Sequence, residues 1–204
     1  DASSRYVDTR TRLYYTAKIN DNLKFVNAFE FGDQRWGQDT AAGTIADLRN
    51  YTDVGADGVS IEIKNSYADF NLGPVNFTVG VQPYVLWRTA YIDDDASGII
   101  ARWKVMDNFV LAASWLKAFE GNAGTGNNED IDSATVTAAF WFSENISIKP
   151  SINYVRSSET DNPALAAIPG SLSGEGELNQ WTYGFDFDMT YDNFGLFATF
   201  FAQT

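Results

Sequence analysis

Five short polar segments, at 21–22, 72–74, 106–108, 143–145 and 191–193, each join two stretches in which large apolar side chains fall on every second residue. A period of two is the spacing of a β-strand with one apolar face. Residues 5–20 place Val7, Leu13, Tyr15, Ala17 and Ile19 in one phase and Asp8, Arg10, Arg12 and Lys18 in the other. In the next stretch Leu23, Phe25, Phe29 and Phe31 oppose Lys24 and Glu30. Within 59–72 the phase of Val59, Ile61 and Ile63 is reversed at Ala68, Phe70 and Leu72, which predicts a β-bulge near Asn65 and Ser66. Val75, Phe77, Val79 and Val81 continue the pattern. Ile99, Ala101, Trp103 and Val105 then oppose Arg102 and Lys104, and Phe109, Leu111, Ala113 and Trp115 follow. The stretches 133–142, 146–156, 180–190 and 194–203 bring the predicted strands to ten, and no segment carries a helical stripe.

The intervening connections, about 34–58, 83–97, 120–132 and 157–179, are long, polar and rich in Gly, Asn and Asp. Short and long connections alternate without exception. Tight turns therefore gather at one end of the sheet and long loops at the other. The expected fold is all-β, a transmembrane up-and-down antiparallel barrel forming a single domain over 1–204. Strand length points the same way, since tilted membrane strands need about 9–11 residues whereas strands in general average about 5–6.

Composition removes other classes. The chain has no Cys and no His. That excludes disulfides, thiolate metal sites, Cys nucleophiles and His-based triads. The usual proton shuttle is missing as well, so the expectation is a protein that is not an enzyme and takes no cofactor. Asp186 and Asp188 share one face, but neighbouring carboxylates on a charged wall need no catalytic role. A formal charge of −13 argues against nucleic acid, which asks for a basic face. No run of 18 apolar residues exists, so no membrane helix is expected, and that leaves a β-barrel untouched.

Which phase meets water is decided by the charged residues and the aromatics. Arg10, Arg12, Glu62, Lys64, Arg102 and Lys104 put long charged side chains in mid-strand, as a water-filled lumen allows and an apolar interior does not. Aromatics collect near strand ends. Phe25, Trp103, Phe109 and Trp141 lie near the short turns, and Phe31, Trp115 and Trp181 near the long connections. Two such bands are expected as lipid-facing girdles at the two membrane–water interfaces. The polar phase holds eight basic residues (Arg10, Arg12, Lys18, Lys24, Lys64, Arg102, Lys104, Lys149) against five acidic ones (Asp8, Glu30, Glu62, Asp186, Asp188). The acidic excess is therefore expected in the long connections, for example "NNEDID" at 127–132. Those acids either bias ion passage or serve solubility and divalent cations among lipopolysaccharide groups.

Three stretches resemble a known family: "TRTRLYYTAKINDNLKFVNAFEFGDQRWG", "GVSIEIKNSYADFNLGPVNFTVGVQ" and "YIDDDASGIIARWKVMDNFVLAASWLKAFEG". They are similar to the homotrimeric outer-membrane porins of sulfate- and metal-reducing proteobacteria, most specifically in "FEFGDQRWG" and in the triple Asp leading into a strand. The resemblance covers most of 5–120 and thins after about 130. It implies a sixteen-stranded barrel in a Gram-negative outer membrane, trimeric, passing small hydrophilic solutes and ions by diffusion. It also implies that connection 83–97 folds into the barrel, with Asp93, Asp94 and Asp95 facing Arg10, Arg12 and Arg102 across a constriction.

The chain departs from that pattern in having ten strands, a first strand that already ends in a short turn, and "FFAQT" in place of a terminal aromatic. The expectation is a portion of such a barrel, with a small monomeric barrel acting as a specific channel or an adhesive surface protein as the alternative. Other readings of the triple Asp are a cap at the strand edge and a Ca²⁺ site, although it lacks the 1-3-5 spacing and Gly of an EF-hand loop.

Overall fold

The computed structural model describes residues 7–35, 61–88, 90–119, 130–157 and 178–204. These form ten strands: β1 (Asp8–Asn20), β2 (Leu23–Arg35), β3 (Ile61–Leu72), β4 (Val75–Leu86), β5 (Ile92–Met106), β6 (Phe109–Phe119), β7 (Ile131–Ser143), β8 (Ile146–Ser157), β9 (Leu178–Tyr191) and β10 (Phe194–Gln203). All ten lie in one sheet in chain order, each antiparallel to the next, and no helix occurs among the described residues. β1 and β10 form no pair with each other, so the sheet is open. The connections 36–60, 120–129 and 158–177 lie outside the described residues, as do Tyr6 and the side chain of Asp8. The acidic excess expected in the long connections falls mostly there.

The five short turns are two-residue hairpins at 21–22, 73–74, 107–108, 144–145 and 192–193. Gly73 (φ +60°) and Asp192 (φ +51°) take the left-handed conformation that such turns demand and that Gly and Asp tolerate best. The bulge expected near Asn65 and Ser66 is at Lys64. Ala28 pairs with Asn65 and Phe29 with Ile63, which leaves Lys64 without a partner on β2.

Pairing across the ladder separates two faces. The outer face includes Leu13, Phe29 and Ile63 in one register row, and Ile99, Trp115, Ala134, Tyr154 and Trp181 in another. Phe109 and Phe140 stack on it at 4.4 Å near the short turns, and Tyr154 meets Trp181 at 4.6 Å near the other end. Phe25, Phe31 and Trp103 share this face. The inner face carries Glu30, Thr78, Gln82, Thr135, Ser151, Asn153 and Thr182, all buried and polar. Trp141 differs from its expected place. It pairs with Ser147 in the phase of Thr135, Thr137 and Ala139, so it stands on the inner face. Its nearness to a turn suggested a girdle position, but the alternation decides the side.

The expected long connection 83–97 is the main correction. β4 and β5 pair residue for residue from Val75 and Trp103 up to Leu86 and Ile92, and only a short turn follows. The period of two runs on through Gln82, Tyr84 and Leu86. The three aspartates read as loop because carboxylates are rare in strands.

Candidate functional site

The β4–β5 hairpin parts from both of its neighbours before it ends. The last β3–β4 pair is Ser66 with Val81, and the last β5–β6 pair is Ser97 with Lys117. Residues 82–96 are thus laddered only to each other. The departure coincides with Gly80 facing Gly98. Gly80 has φ +129°, and a Cβ there would strike the Ser66 carbonyl and Tyr67. A Cβ at Gly98 would strike the Trp115 carbonyl. Without side chains at this pair, the ladder can turn inward while the adjacent strands stay close.

Beyond the crease the hairpin crosses the inner face. The Tyr84 hydroxyl donates to Thr135 Oγ1 (2.7 Å) and lies 3.2 Å from Ser114 Oγ. The Tyr91 hydroxyl donates to Asn153 Oδ1 (3.3 Å) and lies 3.2 Å from Thr182 Oγ1. Asn153 in turn donates to Ser133 and Thr135 at 2.8 and 2.9 Å. Trp87 stacks on Phe201 of β10 at 5.4 Å and meets Tyr91 edge-on at 5.0 Å. Gly184 of β9 leaves room for that indole, because a Cβ there would lie 2.6 Å from the ring. Arg88 forms an ion pair with Asp188 of β9, and its guanidinium sits 4.8 Å above the Phe197 ring. Trp87 and Arg88 both have left-handed φ (+51° and +48°), which costs a non-Gly residue about 1–2 kcal/mol each. Burial of the Trp87 ring, 1 % exposed, works against that strain, although its indole N–H has no hydrogen-bond partner among the described residues.

The hairpin's other side meets β3. Lys64 Nζ lies 3.1 Å from Asp95 and 3.2 Å from Glu62, and the Asn65 amide donates to Asp95 at 2.9 Å. Of the three aspartates, Asp95 alone meets a basic side chain among the described contacts; Asp93 and Asp94 are exposed, and Asp94 accepts from the Asp95 N–H at 2.8 Å. Arg10 and Arg12 are held by Glu30 of β2 (3.3 and 2.5 Å). Arg102 donates to Thr78 at 3.2 Å, and Lys104 pairs with Asp107 at 2.8 Å in the adjacent turn. The structure therefore gathers Glu62, Lys64 and Asp95. It keeps Arg10 with Arg12, and it leaves Arg102 and Lys104 lower on β5. No group of three or more acidic side chains among the described residues is arranged to hold a metal ion.

Sequence reasoning passed over Trp87, Arg88 and Tyr91, and it placed Glu30 and Asp188 on the polar face without gathering them with their partners. The paired glycines were the available signal, but their pairing is visible only once the register is known. No protein-family model matches the chain, and no curated protein matches it.

Proposed function

We propose that this sheet is wall and constriction of an outer-membrane porin, a water-filled channel for passive diffusion of small hydrophilic solutes and ions. The observation that carries the reading is the hairpin 82–96, folded across a polar, charged inner face while the outer face is apolar and banded with aromatics. In lipid an apolar exterior is favourable, and the charged face gains a role only if water runs along it. The hairpin narrows that water path. Lys64, Arg10 and Arg12 line one side with Glu30 and Glu62, and Asp93, Asp94 and Asp95 stand on the hairpin itself. Lipid and lipopolysaccharide cover the exterior, a homotrimer is the assembly, and no bond-making chemistry is involved. Lipid leaves no backbone group unpaired, so this reading requires β-strand partners for the free edges of β1 and β10.

The same hairpin favours one second reading. In a wall closed by ten strands alone it would fill the interior, and the protein would be a plugged surface barrel. Single-channel current across a planar bilayer, with a salt gradient, separates the two. Stable steps in groups of three support the trimeric porin, and folded, inserted protein that carries no current defeats it.

A further inference from the structure

On the inner face of β7 to β10 two large rings keep part of their surface open: Trp141 of β7 is 36 % exposed, and Phe197 of β10, with the Arg88 guanidinium over its ring, is 68 % exposed. They belong to one register row, in which Trp141 pairs with Ser147, Ser147 with Asp188, and Asp188 with Phe197. Three strand spacings separate the rings, about 14 Å. Polar groups fill the interval. The Ser147 hydroxyl donates to Asp188 at 3.4 Å, Lys149 lies 3.3 Å from the same carboxylate, and Asp186 accepts from Thr199 at 2.7 Å. Arg88 reaches this row from the hairpin tip.

We infer that this row is a carbohydrate-binding subsite for a short neutral oligosaccharide. The assignment rests on the reading of the inner face as lined by water. Pyranose rings offer flat C–H faces to the negative faces of aromatic rings, and their hydroxyls both donate to carboxylates and accept from ammonium groups. The charges balance, Arg88 and Lys149 against Asp186 and Asp188, so a neutral polar ligand is favoured over an anion or a cation. A purely apolar ligand would strip water from Asp188 and Lys149 without replacing their hydrogen bonds.

The test uses the full chain and maltotriose as the probe, in two assays. Calorimetry on detergent-solubilised protein should show binding heat, and bilayer recordings should show maltotriose interrupting the ion current. Trp141→Leu combined with Phe197→Leu should weaken both responses by roughly tenfold. Lys149→Gln keeps both rings and should weaken binding roughly fivefold, which carries the test if the double variant does not fold. Salt current without any maltotriose response overturns the subsite and leaves the porin reading standing. Binding heat without current keeps the subsite and defeats the porin. A double variant that folds and binds as well as the unaltered chain also overturns the subsite.

Discussion

Trp87 shows how much one side chain can be asked to hold. It sits in a left-handed conformation, between Phe201 and Tyr91, over a glycine that a methyl group would disturb. Trp87→Ala should remove about 3 kcal/mol from docking of the tip. The expected result is faster proteolysis within 86–91 in detergent, at unchanged far-UV circular dichroism. Asp107 makes a smaller, pH-linked prediction. It is fully exposed in a tight turn, yet the hydrogen bond from Lys104 holds its carboxyl below the usual aspartate range. A depressed carboxyl stabilises the fold above the ordinary range and loses that contribution as pH falls through the lowered value. Titration of the Asp107 carboxyl by NMR should therefore give a midpoint below that of an unfolded peptide, and Lys104→Gln should raise it. Trp141 shows what the sequence contained and position obscured. Counting on from Thr137 puts it on the polar side, whereas distance to the turn put it in a girdle.

At the scale of the strand pair, the crease is the device to test. Gly98→Val would place a branched side chain against the Trp115 carbonyl, where no room exists. The hairpin should then fail to turn inward, and single-channel conductance should rise with greater current noise. Unchanged conductance from folded Gly98→Val protein would show that the hairpin does not set the aperture. Ten strands were legible because alternation over ten to fifteen residues is a strong signal. The inward turn was not legible, because a strand that leaves its neighbours keeps the same period as one that stays. The tyrosine anchors were hidden for a related reason: Tyr84 and Tyr91 find their partners on β6 to β9, which only the folded sheet brings near.

At the scale of the molecule, the two faces make opposite predictions. Cysteines placed at Arg12 and Thr137 should react with charged, water-soluble thiol reagents, and cysteines at Leu111 and Val136 only with lipid-soluble ones. Arg12→Gln together with Lys64→Gln should move the reversal potential toward cation selectivity, since both charges line the narrowed side. The segment expected as a loop bearing aspartates toward arginines is by its register a paired hairpin in which Lys64 meets Asp95. A paired hairpin differs from a loop in what a change of length does to it. Each added or deleted cross-strand pair between 82 and 96 would advance or withdraw the tip by one rung, leaving every rung of the other ladders in place. In the proposed channel, bore and wall can thus be altered independently of one another, so a lineage could retune what passes without renegotiating how the protein sits in its surroundings.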